Sequence, residues 1–166
     1  FYNKVIDLNF RNSIFLDITA NEDICSYYKK YLMKNVAVIA CNKIACSLSF
    51  ESYKDLKTAS LKFNSPFLFE TNVGAGLPIL NTLNNLLSSG DEIISIEAVL
   101  SGSLNFIFNN YDGTKSFLNI IKQAKKEGYT EPDPRIDLSG VDVARKILIL
   151  ARESGSNINL EDINNE

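Results

Sequence analysis

The sequence predicts an α/β chain whose strands lie parallel in one sheet. Two short runs, residues 13–19 and 36–40, are almost continuously apolar, which is typical of parallel strands buried on both faces. The stretch between them is long enough for a crossover helix, with Asn21 as its N-cap and acidic residues in its first turn. Residues 51–62 indicate a second helix, and residues 66–70 a third strand.

The pattern changes after the third strand. VGAGLP (residues 73–78) is a glycine turn, after which Pro78 starts a helix that Gly90 ends. Residues 92–100 place apolar side chains at alternate positions, which predicts a half-buried strand with Ile94, Ile96, Ala98 and Leu100 on its buried face. Three more helices are predicted: one from about Ser101, one over residues 114–127 and one over residues 139–153.

Composition excludes several classes of function. The 17 basic and 20 acidic residues form no basic stripe, so we expect no nucleic-acid partner. No apolar run approaches the roughly 20 residues of a membrane span, so no membrane partner is expected. The three cysteines form no CxxC pair, which favours reduced thiols in a cytoplasmic protein. Because histidine is absent, proton transfer falls to other side chains, and any metal ion would need oxygen ligands.

Polar residues follow the first two predicted strands. Thr19 and Asn21 come after one, and Asn42 and Lys43 after the other. In open parallel sheets, ligands bind beyond the carboxyl ends of the strands, so these residues are candidates for a cofactor cleft. The alternative is that Asn21 only caps a helix and Lys43 is a solvated loop residue.

The glycine turn has two interpretations. It matches neither GxGxxG nor the phosphate loop, and no dinucleotide fingerprint occurs elsewhere in the sequence. Gly74 and Gly76 permit a tight turn and need no further role. Alternatively, the carbonyl groups of the turn gather near Glu70, an arrangement that suits a weakly held hard cation.

The stretch GYTEPDPRIDLSGVDVARK (residues 128–146) is the strongest local signal. Its two prolines favour extended conformations at Glu131 and Asp133, which keeps both carboxylates out of the preceding helix. Four carboxylates lie within twelve residues: Glu131, Asp133, Asp137 and Asp142. A group of this size is costly to desolvate unless cations balance its charge, and a substrate ammonium group is one such cation.

The end of this stretch opens the last predicted helix. Ser139 and Asp142 resemble a capping box at its first turn. Asp142 and Lys146 are four residues apart, so they share one face of that helix. An exposed ion pair is the structural alternative to a functional pair, and it would contribute only about 0.3–0.5 kcal/mol.

Several segments together resemble homoserine dehydrogenase. They are ETNVGAGLPIL, VLSGSLNFIFNN and GYTEPDPRIDLSGVDVARK, in the order and spacing of that family, with LDITANED and ACNKIACS upstream. The resemblance covers nearly the whole chain, and the upstream part looks most like the form fused behind an aspartate kinase.

The resemblance implies a fold in two parts. Residues 1–76 would form the later half of a Rossmann-type NAD(P)-binding domain with a parallel sheet. Residues 77–166 would form a truncated α+β domain for substrate binding and dimerisation. The implied assembly is a homodimer or a larger homo-oligomer.

The resemblance also implies an activity. It is the interconversion of homoserine and aspartate 4-semialdehyde with NADP or NAD, in threonine and methionine biosynthesis. Lys146 matches the residue that gives and takes the proton, and Lys43 lies where cofactor and substrate meet. The implied substrate-binding residues are Glu131, Asp142, Asp137, Tyr129 and Ser103. The implied cofactor contacts are Thr19, Asn21, Asn42, Lys43 and Gly128. A sodium ion would be bound by Glu70 and the carbonyl groups of Val73, Ala75 and Leu77.

The sequence departs from the family pattern in three ways. Ser103 stands where threonine is usual, and Ile136 where an acid is common. The GxGxxG strand, and the tail that would return to the cofactor domain, do not occur in these residues. We therefore expect this chain alone to be weakly active or inactive, and the alternative function is a non-catalytic fragment or interaction domain of the same fold.

Overall fold

The structure, a computed structural model, describes residues 2–164 and contains a three-stranded parallel sheet. Ile14 pairs with Ala37 and Val38 pairs with Phe67, so the middle strand bonds to both neighbours. The predicted parallel strands are confirmed, although each is shorter than its apolar run. In sheet order they are β1 (Ile14–Asp17), β2 (Ala37–Ala40) and β3 (Phe67–Leu68).

Four helices lie in the part of the chain that forms the sheet. They are α1 (Tyr2–Leu8), α2 (Glu22–Leu32), α3 (Ile44–Ser47) and α4 (Phe50–Lys62). Asn21 is the N-cap of α2 as predicted, since its Oδ1 accepts from the N–H groups of Asp23 at 2.8 Å and Ile24 at 3.4 Å. The sequence reasoning missed α1, which packs Tyr2 against Tyr27 with ring centroids 4.7 Å apart.

Within the described residues, five helices follow the sheet. They are α5 (Ile79–Ser88), α6 (Gly102–Asn110), α7 (Phe117–Lys126), α8 (Pro134–Leu138) and α9 (Val141–Glu153). Short 3-10 turns occupy Glu70–Asn72 and Leu160–Asp162. Within residues 2–164, no helix has the length and apolar character that crossing a bilayer requires.

Two apolar clusters hold these elements together. The larger joins buried residues of the sheet and its helices, such as Leu32 and Val38, to Leu80 on α5 and Ile149 on α9. The smaller contains Ile107, Ile120 and Ala124 and packs α6 against α7. The larger cluster therefore includes residues on both sides of the predicted boundary at residue 76, and that boundary stays a prediction.

One face of the sheet is open to solvent. Val38 and Phe67 are buried on the face that α2 and α4 cover, whereas Ile14, Leu16 and Leu68 are 65%, 57% and 53% exposed. The expectation that these apolar runs are buried on both faces is therefore wrong for β1 and β3. The sequence pattern records which residues are apolar but cannot show what covers them.

The strand predicted over residues 92–100 does not form. Residues 91–101 carry no regular secondary structure, and no described strand pairs with them. Ile94, expected on the buried face, is 97% exposed, while Ile93, Ile96 and Leu100 pack on the larger cluster. Alternation alone does not make a strand, because a strand needs a neighbour for its backbone hydrogen bonds.

The entry to α9 also differs from the prediction. Gly140 is the N-cap, with φ 69°, so Ser139 and Asp142 do not form the predicted capping box. The Ser139 hydroxyl donates to the carbonyl group of Ile136 at 2.7 Å and accepts from the Val141 N–H at 3.4 Å. The preceding turn is the short helix α8, which Asp133 caps.

A buried carboxylate joins β1 to the elements beside it. Asp17 is 1% exposed and accepts hydrogen bonds from the Tyr28 hydroxyl, from the Asn42 amide at 3.1 Å and from the Thr19 N–H at 2.8 Å. Burial alone would raise the pKa of Asp17, but these hydrogen bonds lower it below its ordinary value.

We predict a pH-dependent stability loss in Asp17→Asn. At pH 7 the variant places an amide against the Asn42 amide, and we expect a cost of about 1–3 kcal/mol in the free energy of unfolding. Because the folded-state pKa of Asp17 is lowered, its contribution is present above the ordinary carboxyl pKa and is lost as pH falls through the folded-state value. Urea unfolding at pH 7 and pH 3.5 should show the difference between variant and wild type shrinking in acid. The exposed Asp91→Asn is the control, and an equal difference at both pH values would contradict the account.

Candidate active site

Two lysine amines meet on one carboxylate. Lys146 Nζ lies 2.7 Å from Asp142 Oδ2, and Lys43 Nζ lies 3.3 Å from Asp142 Oδ1. The Lys146 amine also donates to the carbonyl group of Leu100 at 2.7 Å. The Lys146 side chain is 18% exposed, so the amine lies at a sheltered position rather than in bulk solvent.

Local structure explains this meeting. Asp142 and Lys146 lie one turn apart on α9, as their spacing predicts. Lys43 follows β2 and is the N-cap residue of α3, so it projects from the carboxyl end of the sheet. Burial alone would raise the pKa of Asp142, but the hydrogen bond from Lys146 and the charge of Lys43 bring it below its ordinary value. Asp142 is therefore a carboxylate over the neutral pH range.

A cavity of about 460 Å³ lies beside the two lysines. Its wall includes Lys43, Lys146, Asn72, Ser101 and Asn105, together with backbone of the glycine turn. The cavity lies at the carboxyl ends of the strands. One of its wall residues, Asn72, shows this, because its amide nitrogen donates to the carbonyl groups of residues 40 and 41, at the end of β2, at 3.0 Å each. This cavity is where a small polar substrate can meet the Lys146 amine.

Asn72 and Asn105 were missed from the sequence. Asn72 is fully buried, and its neighbours Thr71 and Gly74 also line the cavity. The signal available was an amide side chain directly before the glycine turn, which is equally common in turns without a function. Asn105 lies on α6, where only the tertiary fold shows which face meets the cavity.

The acidic stretch is tied to α6 through Asp137. The Asp137 carboxylate accepts from the Ser103 hydroxyl at 2.7 Å and from the Glu131 N–H at 2.9 Å. The hydroxyl groups of Ser103 and Ser101 are 2.9 Å apart, and Ser101 lines the cavity. Ser103 and Asp137 are thus connected through Ser101 to the cavity wall, and their role in substrate binding stays a prediction.

Three other predicted residues lie at the edge of this arrangement. The Glu131 side chain is exposed, and the described hydrogen bonds involve only its backbone. Tyr129 stacks on Phe106 with ring centroids 4.1 Å apart and is 51% exposed. Gly128 has φ 80°, a conformation that favours glycine and turns the chain after α7. None of the three lines the cavity beside Lys146 in the described structure.

The charges of the acidic stretch are mostly balanced within the chain. Asp133 pairs with Arg135 at 2.7 Å, and this hydrogen-bonded pair lowers the pKa of Asp133 to about 2. Asp142 has its two lysines, and Asp137 has a hydroxyl and an amide donor. Among residues 2–164, no basic side chain pairs with Glu131. Of the four carboxylates, Glu131 is therefore the one whose side chain has neither an ion pair nor a hydrogen-bond donor among the described residues.

The predicted cofactor residues lie at the ends of β1 and β2. Thr19 is exposed and its hydroxyl accepts from the Asn21 N–H at 3.2 Å. Asn42 is 2% exposed, and its amide nitrogen donates to Asp17, to the Asn21 carbonyl and to the sulfur of Cys25. Asn42 thus holds the strand ends together, whereas Thr19 and Asn21 face solvent.

The predicted sodium ligands lie in and around the glycine turn. Both Glu70 oxygens accept backbone N–H groups at the start of α5, from Leu80 and Asn81 at 2.9 Å each. The Leu77 carbonyl accepts from the Ile79 N–H at 2.9 Å. The carbonyl groups of Val73 and Ala75 have no hydrogen-bond donor in the described structure, and Ala75 has φ 52°. One carboxylate and several carbonyl groups are the types of oxygen donor that a hard cation takes, so the residue types present suit sodium. The sodium site stays a prediction.

No disulfide joins the three cysteines in the structure. Cys25, Cys41 and Cys46 are all free, and burial raises the pKa of Cys25 to about 11. A buried thiol with a raised pKa is a poor nucleophile, so Cys25 is not a candidate for catalysis.

Comparison with known proteins identifies the family. The sequence profile of homoserine dehydrogenase matches residues 78–166, more than half of the 166 residues. The chain belongs to the homoserine dehydrogenase family. A bifunctional aspartokinase/homoserine dehydrogenase of Zea mays, named as chloroplastic, is 48% identical over 154 residues, which cover 93% of this chain and 17% of that protein. The resemblance to the dehydrogenase part of the fused enzymes is therefore confirmed.

The chain is also similar to homoserine dehydrogenases of other organisms. That of Schizosaccharomyces pombe is 46% identical over 151 residues, covering 88% of this chain and 40% of that protein. A structure of a hyperthermophilic archaeal homoserine dehydrogenase in complex with NADPH matches with a TM-score of 0.79 and 28% identity, over 93% of this chain and 47% of that one. The chain thus spans less than half the length of each of these relatives.

We predict that sodium stabilises the protein through Glu70. Replacing sodium with choline should lower the melting temperature and the turnover, with a loss of about 1 kcal/mol in unfolding free energy where sodium exceeds its dissociation constant a few-fold. Glu70→Gln should abolish this response while keeping one acceptor for the α5 amides. Thermal unfolding in the two salts at equal ionic strength is the measurement. A wild-type protein that does not respond to sodium would contradict the site.

Proposed function

We propose that the chain provides the substrate side of a homoserine dehydrogenase that interconverts homoserine and aspartate 4-semialdehyde with NADPH or NADH. One observation carries the proposal: the Lys146 amine is held with Lys43 on Asp142, beside a cavity beyond the ends of parallel strands. The family membership supports the same reaction.

Lys146 transfers the proton in this proposal. An ammonium group has three N–H donors, and those of Lys146 have two described partners, Asp142 and the Leu100 carbonyl. The remaining donor can meet a substrate oxygen in the cavity at about 2.6–3.2 Å. In the reducing direction Lys146 gives a proton to the aldehyde oxygen, and in the oxidising direction it takes one from the alcohol.

Asp142 and Lys43 prepare the site for that step. Asp142 fixes the direction of the Lys146 amine and offsets the charges of both lysines, which would otherwise repel one another. Lys43 lies at the strand end, where it can reach both the substrate and the cofactor. Its positive charge favours a developing negative charge on the substrate oxygen.

The acidic stretch binds the amino end of the substrate. Among the described residues Glu131 has no basic partner and its side chain accepts no hydrogen bond, so a substrate ammonium group can balance it. Asp137 accepts from the backbone N–H of Glu131 and from the hydroxyl of Ser103 on α6, so it ties Glu131 to that helix. Tyr129 stacks on Phe106 of the same helix. Closing of this stretch over the cavity on binding would bring Glu131 to the substrate.

The residues present fit one end of the cofactor. A nicotinamide cofactor, when bound, supplies or accepts the hydride. Thr19, Asn21, Lys43 and Gly128 would contact it, and Asn42 would support the strand ends. The described turns include no GxGxxG, so these residues alone would hold a pyrophosphate weakly. We expect the isolated chain to be weakly active or inactive for this reason.

Several finer features belong to the same proposal. Residues 1–76 would belong to a Rossmann-type cofactor domain, and residues 77–166 to an α+β domain for substrate binding and dimerisation. A homodimer or larger homo-oligomer in the cytoplasm is expected from the family resemblance and the free thiols. A non-catalytic interaction domain is the second candidate, and the open apolar face at Ile14 and Leu16 favours it.

Lys146→Ala separates the two candidates. In the full-length protein we expect turnover of homoserine to fall by about 10²–10⁴-fold, since a positioned acid–base group contributes that much. The dissociation constant of NADPH should stay within about twofold, because the adjacent strand ends are unchanged. Steady-state kinetics and fluorescence titration of NADPH are the measurements.

Lys29→Ala is the matched control. Lys29 forms an exposed ion pair with Asp55 at 2.7 Å, between α2 and α4, and it does not line the cavity beside Lys146, so its loss should change neither quantity. Normal turnover in Lys146→Ala would rule out the dehydrogenase proposal.

A further inference from the structure

A second cluster of charged residues lies at the other end of α9. The Glu153 side chain is 2% exposed and accepts four hydrogen bonds from three side chains. The donors are the Tyr53 hydroxyl, the Lys57 amine, at 3.0 Å to one oxygen and 3.1 Å to the other, and the Asn84 amide at 3.1 Å. The proposed reaction uses none of these groups, yet burying a carboxylate is costly unless it is bonded in this way.

This cluster joins three helices. Glu153 ends α9, Tyr53 and Lys57 lie on α4, and Asn84 lies on α5. Burial and the adjacent Glu153 charge raise the pKa of Tyr53, so its hydroxyl remains a donor to Glu153. Lys57 also lies over the ring of Phe69, 5.3 Å from its centroid. The position of α9 relative to the sheet is thereby fixed at its C-terminal end.

Arg152 adds a second anchor beside the first. It is 4% exposed and donates to the carbonyl group of Cys46 at 2.8 Å and to that of Ile158 at 3.0 Å. Its guanidinium lies over the rings of Phe50 and Tyr53, 5.8 Å and 5.3 Å from their centroids. The two last residues of α9 are therefore held by buried polar contacts on different sides of the helix.

The opposite end of α9 is held differently. Its N-cap is Gly140, and the Ser139 hydroxyl accepts from the Val141 N–H at a long 3.4 Å. The charged contacts of its first two turns are those of Asp142 and Lys146, which belong to the candidate active site. Outside that site, the buried charged side chains that anchor the helix lie at its C-terminal end.

Lys146 and Glu153 share a face of α9. They are seven residues apart, so at 3.6 residues per turn they lie within about 20° of one another and about 10 Å apart along the axis. If α9 rotated about its axis, the Lys146 amine would move away from the Leu100 carbonyl and the cavity. The bonds of Glu153 to α4 and α5 oppose such a rotation. We propose that Glu153 is a positioning residue for proton transfer, because its buried bonds to α4 and α5 fix the helix that carries Lys146. This inference rests on the proposed function.

Glu153→Gln tests the inference in the full-length protein. The change keeps the shape but places an amide against the Lys57 and Asn84 donors. We expect kcat to fall roughly 10- to 100-fold, since displacement of a catalytic group by about 1 Å has effects of that size. The KM values for homoserine and NADP should change less than about twofold.

A stability control separates positioning from general weakening. Leu32→Ala removes a fully buried side chain at the end of α2, which is neither α9 nor a helix that Glu153 contacts, and it should lower the melting temperature without lowering kcat. An equal fall of kcat in Leu32→Ala and Glu153→Gln would overturn the inference. If Glu153→Gln does not fold, Tyr53→Phe removes a single donor and should give a smaller fall of kcat; no fall would likewise overturn it.

A double variant links Glu153 to Lys146. In the Lys146→Ala background, Glu153→Gln should cause no further loss of the residual turnover, because the group it positions is gone. Additive losses would overturn the inference. Full kcat in Glu153→Gln alongside an inactive Lys146→Ala would defeat this inference alone, whereas normal turnover in Lys146→Ala would defeat the proposed function itself.

Discussion

The site depends on one carboxylate that binds two amines. Asp142 holds Lys146 of its own helix and Lys43 from the end of β2, and so connects α9 to the carboxyl edge of the parallel sheet. Two lysines this close repel each other unless an anion lies between them. Because Asp142 is half-exposed rather than buried, the pair remains within reach of a ligand in the cavity.

The rest of the chain supports this contact from both sides. Asp17 and Asn42 hold the ends of β1 and β2 together beneath Lys43, and Glu153 and Arg152 hold the far end of α9. On the cavity wall, the serine hydroxyls of α6 connect to Asp137 and hence to the backbone of the acidic stretch. Buried polar groups that are fully bonded fix geometry in this way, whereas apolar packing alone permits small displacements.

Features with a local cause were predictable from the sequence. The Asn21 cap, the three parallel strands and the spacing of Asp142 and Lys146 each follow from neighbouring residues. Features that depend on distant residues were not. The alternating residues 92–100 form no strand because no described strand pairs with them, and Asn72 lines the cavity because its segment contacts the carbonyl groups at the end of β2. In the sequence, Glu153 is only the last residue of a predicted helix, and its tertiary neighbours show that it is buried.

The most direct test of the central contact is single-turnover hydride transfer by Asp142→Asn in the full-length protein. Mixing the enzyme–NADPH complex with aspartate 4-semialdehyde and following nicotinamide absorbance gives the rate of the chemical step. The account predicts that this rate falls by about 10²-fold because Lys146 loses the carboxylate that directs it, while NADPH binds as before. An unchanged rate would show that the carboxylate between the two lysines has no part in the reaction.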